Sequence, residues 1–169
     1  MSRTKMQKDT VPEDFTMALA LADILPVLFF ALSAIVISIY FHSILFLTGA
    51  LLCLWAGSAK VIWKIIVVRK KRNIWWLFLQ MRIAMPIGLF LMLLSAFLHR
   101  SMLSLVGIIA GICSFPSVVF FAAGFAGMIL MLIFAFTLDG SKSKNNWIEQ
   151  LTNGIAQAFF FAGLIFALF

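Results

Sequence analysis

Residues 15–41 read FTMALALADILPVLFFALSAIVISIYF, an apolar run interrupted by one charge, Asp23, and one proline, Pro26. As a helix rising 1.5 Å per residue it would be about 40 Å long, more than the roughly 30 Å hydrocarbon core of a bilayer. The run can therefore cross a membrane with tilt, or with a kink at Pro26. It is also far longer than the roughly 7 to 15 apolar residues of a secretory signal, so it is expected to stay in the mature chain.

Composition extends this reading to the whole chain. Of 169 residues, 64% are hydrophobic and 11% charged, and mean hydropathy is +1.12; a soluble domain is nearer half apolar and a quarter charged. The polar stretches 1–14, 69–73 and 139–146 are each too short to fold alone. The expected fold is all-α, a single polytopic membrane-embedded helical bundle over residues 1–169. Six hydrophobic segments are expected at about 15–41, 44–68, 74–97, 101–114, 117–138 and 147–169.

The fourth segment, 101–114, is short, and the boundary at Ser114-Phe115-Pro116-Ser117 has no charge to anchor it. The alternative is five spans plus a re-entrant or kinked element, which needs protein or water to satisfy its backbone. Two helix starts carry the spacing of a capping box: Thr10-Val11-Pro12-Glu13 and Asn146-Trp147-Ile148-Glu149.

The net charge of +7 is concentrated where topology is decided. Arg3, Lys5 and Lys8 precede the first run; Arg69, Lys70, Lys71 and Arg72 follow the second. A hairpin of these two runs puts both clusters on one side, the positive-inside pattern, so residues 1–14 are expected in the cytoplasm and His42 outside. This accounts for the basic charge without nucleic acid, and the second cluster can also touch anionic headgroups. Trp75 and Trp76 mark the same interface. Six spans would leave Lys142 and Lys144 outside, and five would bring them inside; the cost of a re-entrant backbone favours six.

Charges within a span cost roughly 2.5–3.5 kcal/mol, so each needs a reason. Counted from the span ends, Asp23, Lys60 and Arg82 fall at one depth, about 12 Å from the inner interface. Asp23 could neutralise one cation and leave the other for an anionic ligand. The plainer alternative is that Lys60 and Arg82 snorkel to the headgroups, and Lys64, nearer the interface, is read that way. Gln150, Asn153 and Gln157 share a helix face, either lining a cavity or serving as interhelical hydrogen-bond glue. The candidate ligand-binding set is thus Asp23, Lys60, Arg82, Gln150, Asn153 and Gln157. Glu149 is read as the capping-box acid.

His42 and His99 close the first and third helices on one side, which raises bis-imidazole haem ligation, but helix-end histidines more often serve as interfacial polar groups. No cofactor is expected, and no dinucleotide, P-loop, HExxH or CxxC motif occurs. Cys53 and Cys113 are read as small core residues. Gly107 with Gly111, and Ala123 with Gly127, give small-xxx-small spacing that allows close helix contact within the chain or between chains.

The function expected is small-molecule binding or transport at an intramembrane polar site, for an anionic or amphipathic ligand. The alternatives are a membrane-embedded enzyme acting on a lipid or isoprenoid, with Asp23 or Glu149 as acid/base, and a non-catalytic membrane subunit. Only a five-span topology brings Asp23 and Glu149 to the same side. The partners this implies are the lipid bilayer, a small ligand, and a second copy or a membrane partner subunit.

Overall fold

The structure, a computed structural model, describes residues 15–99, 104–138 and 142–169. The helix start expected at Thr10, the basic residues Arg3, Lys5 and Lys8, and Arg100 and Asp139 lie outside the described residues. Every described element is a helix: α1 Met17–Ala22, α2 Ile24–Tyr40, α3 Ile44–Lys70, α4 Trp75–Leu98, α5 Leu105–Cys113, α6 Ser117–Thr137 and α7 Ser143–Leu168.

The first apolar run makes one membrane-length rod in two pieces. Phe15 and Thr16 are not helical, and Thr16 Oγ1 accepts the Leu19 N–H at 3.2 Å, so α1 opens on a hydroxyl cap later than Thr10. The rod breaks at Asp23, which ends α1 and precedes α2. Pro26 accounts for the place of the break: it has no N–H to give the Ala22 carbonyl, and its ring crowds the preceding turn.

α3 starts from Ser43, whose hydroxyl accepts the Phe46 N–H, and ends with Arg69 and Lys70 in the last turn, where cations complement the helix dipole. Lys71 then takes the left-handed conformation at φ 49° and turns the chain into α4.

Among the described residues five helices are long and apolar enough to cross a membrane, α1 and α2 counting together as one. The sixth hydrophobic segment differs. α5 has nine residues, so it spans about 14 Å and cannot traverse the hydrocarbon core.

Helix pairing settles the direction of the last span. Phe15, Leu19, Trp63 and Val67 form a buried cluster at the end of the bundle carrying residues 69–72, hereafter the basic end, and Trp147 near the start of α7 packs against it. At the opposite, far end, the Tyr40 ring lies 6.1 Å from that of Phe169. α6 runs antiparallel to α7: Ser117 Oγ donates to the Gly163 carbonyl at 2.9 Å, and a Cβ on Gly127 would come within 2.7 Å of Ala156 Cβ. α5 lies at the far end, with Gly111 close to the Ala167 carbonyl.

The chain therefore leaves α4 at the far end, passes through α5 and re-enters by α6 from that same end. This corrects the preference for six spans: the fourth segment is a far-end element, and Lys142 and Lys144 return to the basic end. The small-residue spacings act within the chain, Gly111 and Gly127 both against α7, whereas Gly107 meets only Ser104 of its own turn.

Two close hairpins result. In α3–α4 a Cβ on Gly88 would lie 2.6 Å from both Cys53 Sγ and the Gly49 carbonyl, so the backbones meet at a contact only glycine permits. Ser43 and Ser95 hydroxyls bond at 2.7 Å toward its far end, and Trp63 Nε1 donates to Asn73 Oδ1 at 2.9 Å toward its basic end. Among the described residues, α3 and α4 share no helix-packing contact with α5, α6 or α7, and α1–α2 packs against both groups. Large side chains such as Phe90, Leu93, Phe125 and Ile129 point outward, a surface suited to lipid and not to water.

Candidate functional site

The break at Asp23 directs a carboxylate into the bundle, where the residue is 2% exposed. Facing it on α3 is Lys64, 1% exposed, with Nζ 2.7 Å from Asp23 Oδ2. The contact is an ion pair without the alignment of a hydrogen bond, and Asp23 Oδ1 has no hydrogen-bond partner among the described residues. The Lys64 ammonium also stands 5.5 Å from the centre of the Phe15 ring, whose negative face favours a cation.

Two further charges lie within electrostatic range. Lys60, one turn from Lys64 on the same helix, is half-buried and interacts with Lys64 and with Glu149 of α7. Glu149, also half-buried, senses Lys60, Lys64 and Asp23. Asp23, Lys64 and Glu149 share a layer: each lies six residues along its helix from that helix's basic-end terminus, about 9 Å in. Two acids and two bases thus lie within electrostatic range of one another across three chain segments, with no formal net charge among them.

This rearranges the expected triad. Asp23 is central, as its cost in a membrane demanded, and Lys60 lies nearby. Arg82 does not join them: it is exposed, with its guanidinium 4.9 Å from the ring centre of Phe78, one turn back on α4. Lys64, read as snorkelling, is instead the buried partner of Asp23. Its side chain points to the bundle axis, along the face that also buries Val61 and Val67, and so cannot reach the headgroups.

The α7 stripe divides. Gln150 is buried, and one turn on, Gly154 faces Leu25 and Pro26 just past the helix break, so this face of α7 abuts the interruption. Asn153 and Gln157 are half-buried. The cap expected at Asn146 is corrected: α7 begins at Ser143, and Asn146 is buried with Nδ2 donating to the Lys142 carbonyl at 3.3 Å. Glu149 therefore sits beyond the first turn and is free of the capping role.

At the far end, His99 Nδ1 lies 3.0 Å from the Ser95 carbonyl and its ring meets that of Phe41 edge-on, while His42 is exposed. Cys53 is buried, Cys113 is exposed, and both are free thiols. Among the described residues no group of three or more His, Cys, Asp or Glu side chains is placed to hold a metal.

Two grooves among the described residues lie away from the charged layer. One is apolar, about 260 Å³, between α2 and α3. The other, about 510 Å³, is at the basic end and is lined by Ile66, Lys70, Arg72, Asn73, Ile74, Trp75 and Trp76.

Comparison with protein-family models, with curated proteins and with solved structures returned no match.

Proposed function

We propose that this multi-pass membrane protein binds, and moves between the two faces of the bilayer, a small polar or amphipathic ligand at the layer formed by Asp23, Lys64 and Glu149, with Lys60 one turn deeper on α3 and the buried Gln150 next to Glu149 in α7. The observation that carries the reading is the position of Asp23. It is a buried carboxylate at a break in a membrane-spanning helix, with one oxygen held by Lys64 and the other without a hydrogen-bond partner. Interrupted helices with charged groups at the break recur in secondary transporters, because the break offers polar groups to a ligand inside the membrane. Lys60 and Glu149, both half-buried, supply one positive and one negative contact. A ligand bearing an anionic group, or both signs, suits this set.

The basic end is proposed to face the cytoplasm. Residues 69–72 and Lys142 and Lys144 now gather there, which satisfies the charge rule more fully than a six-span topology would.

The test is access. Glu149→Cys and Lys60→Cys, in a Cys53→Ala, Cys113→Ser background, should react with small charged thiosulfonates in reconstituted protein, and do so faster from the basic end. Complete protection of both from either side would make the layer a sealed structural tie. The protein would then be better described as a non-catalytic membrane subunit, a reading favoured by the location of the two grooves elsewhere. Acid/base catalysis is less well supported: Asp23 and Glu149 do share an end, but Asp23 is held in an ion pair and neither groove reaches it.

A further inference from the structure

The groove at the basic end has features that orientation by positive charge does not require. We propose that it binds the phosphodiester headgroup of an anionic phospholipid. Lys70 and Arg72 both line it, and the left-handed turn at Lys71 between them places these alternate residues on one side while Lys71 itself is not part of the lining. A guanidinium and an ammonium together are a phosphate-binding pair, the first by bidentate hydrogen bonds and the second as a compact charge.

The start of α4 adds to them. Ile74 precedes the helix with no side-chain cap, and its first turn has no acidic residue. The Leu77 N–H is taken by the Ile74 carbonyl at 3.0 Å, and with no acid in the first turn the positive end of the helix dipole adds to the two cations. This helix start would not carry the assignment alone, but it opens into a groove of about 510 Å³ that already holds Lys70 and Arg72.

The remaining wall selects a lipid. Ile66, Ile74, Trp75 and Trp76 line the same groove, at the junction of two membrane-length helices. Indole rings favour the headgroup level, and the isoleucines offer an apolar surface where glycerol and upper acyl carbons would lie. Free phosphate shares the anion chemistry but would leave this wall unused. Cations acting only to orient the chain need no groove that sets them beside an apolar and indole wall.

Detergent-purified protein should be loaded with phosphatidylglycerol or phosphatidylcholine and its retained lipid counted by native mass spectrometry. Phosphatidylglycerol should be retained and phosphatidylcholine lost. A Lys70→Gln, Arg72→Gln variant should weaken retention by about 25-fold, at about fivefold per cation near an anionic headgroup. Lys142→Gln, Lys144→Gln, at the same end but outside the groove, should change it little. Equal retention of the two lipids, or equal loss in the two variants, overturns the proposal. Full displacement by inorganic phosphate assigns the groove to free phosphate and overturns the lipid source. A second measurement is independent of those variants: phosphatidylglycerol with brominated chains should quench the wild-type tryptophan emission, and Trp75→Phe, Trp76→Phe should remove most of the quenching. Quenching unchanged in that variant would also refute the site.

Discussion

Lys64 Nζ and Asp23 Oδ2 stand 2.7 Å apart in the bundle interior, one on a continuous helix and the other at a break in its neighbour. Neither charge is affordable there alone. Removing one member of a buried pair leaves an uncompensated ion at a cost of about 3–5 kcal/mol, whereas removing both can be nearly neutral.

Asp23→Asn and Lys64→Met should therefore each lower thermal stability in detergent, and the double variant should recover much of the loss. Arg82→Met should combine additively with Asp23→Asn, since Arg82 faces outward. A double-mutant cycle measured by thermal unfolding decides this; additive losses for Asp23 and Lys64 would remove the pair.

The five-span arrangement predicts a labelling pattern. In a chain with Cys53→Ala and Cys113→Ser, single cysteines replacing Lys71 and Lys142 should react with an impermeant reagent from the same side of intact cells. One replacing His42 should react from the other. Opposite labelling of positions 71 and 142 would restore a sixth crossing.

Glycine packing gives a graded prediction. A methyl at Gly88 meets Cys53 Sγ and the Gly49 carbonyl at 2.6 Å. Gly88→Ala should cost about 1–3 kcal/mol by overpacking. At Gly154 the nearest atom would be Leu25 Cβ at 3.5 Å, ordinary contact, so Gly154→Ala should be neutral or gain up to about 1 kcal/mol from helix propensity. Paired unfolding midpoints in detergent check both, and equal effects would contradict the described α3–α4 seam.

The helices were legible because long apolar runs admit one backbone solution in lipid, and their ends fell near the expected residues. The charged layer was only half legible. Asp23 stood out by its cost. Lys64 did not, because depth along a helix says nothing of which way a side chain points, and a long stem near an interface can reach water if it faces lipid. Glu149, named only as an acid/base of the enzyme alternative, stayed out of the ligand-binding set for two reasons: an apparent capping box whose helix begins earlier, and a preference for six spans, which would put it at the opposite end from Asp23. One cue was available, since Lys60 and Lys64 are a turn apart and so share a face.

Among the described residues the first span alone has helix-packing contact with both hairpins, which makes it the spindle of the molecule. A disturbance at the Gly49–Gly88 seam can stay within α3–α4. One at Asp23 cannot: the interrupted rod abuts Lys64 on one side and the Gly154 face of α7 on the other. Any rotation of one hairpin relative to the other must turn about this rod, and the rod is cut where it bears its charge.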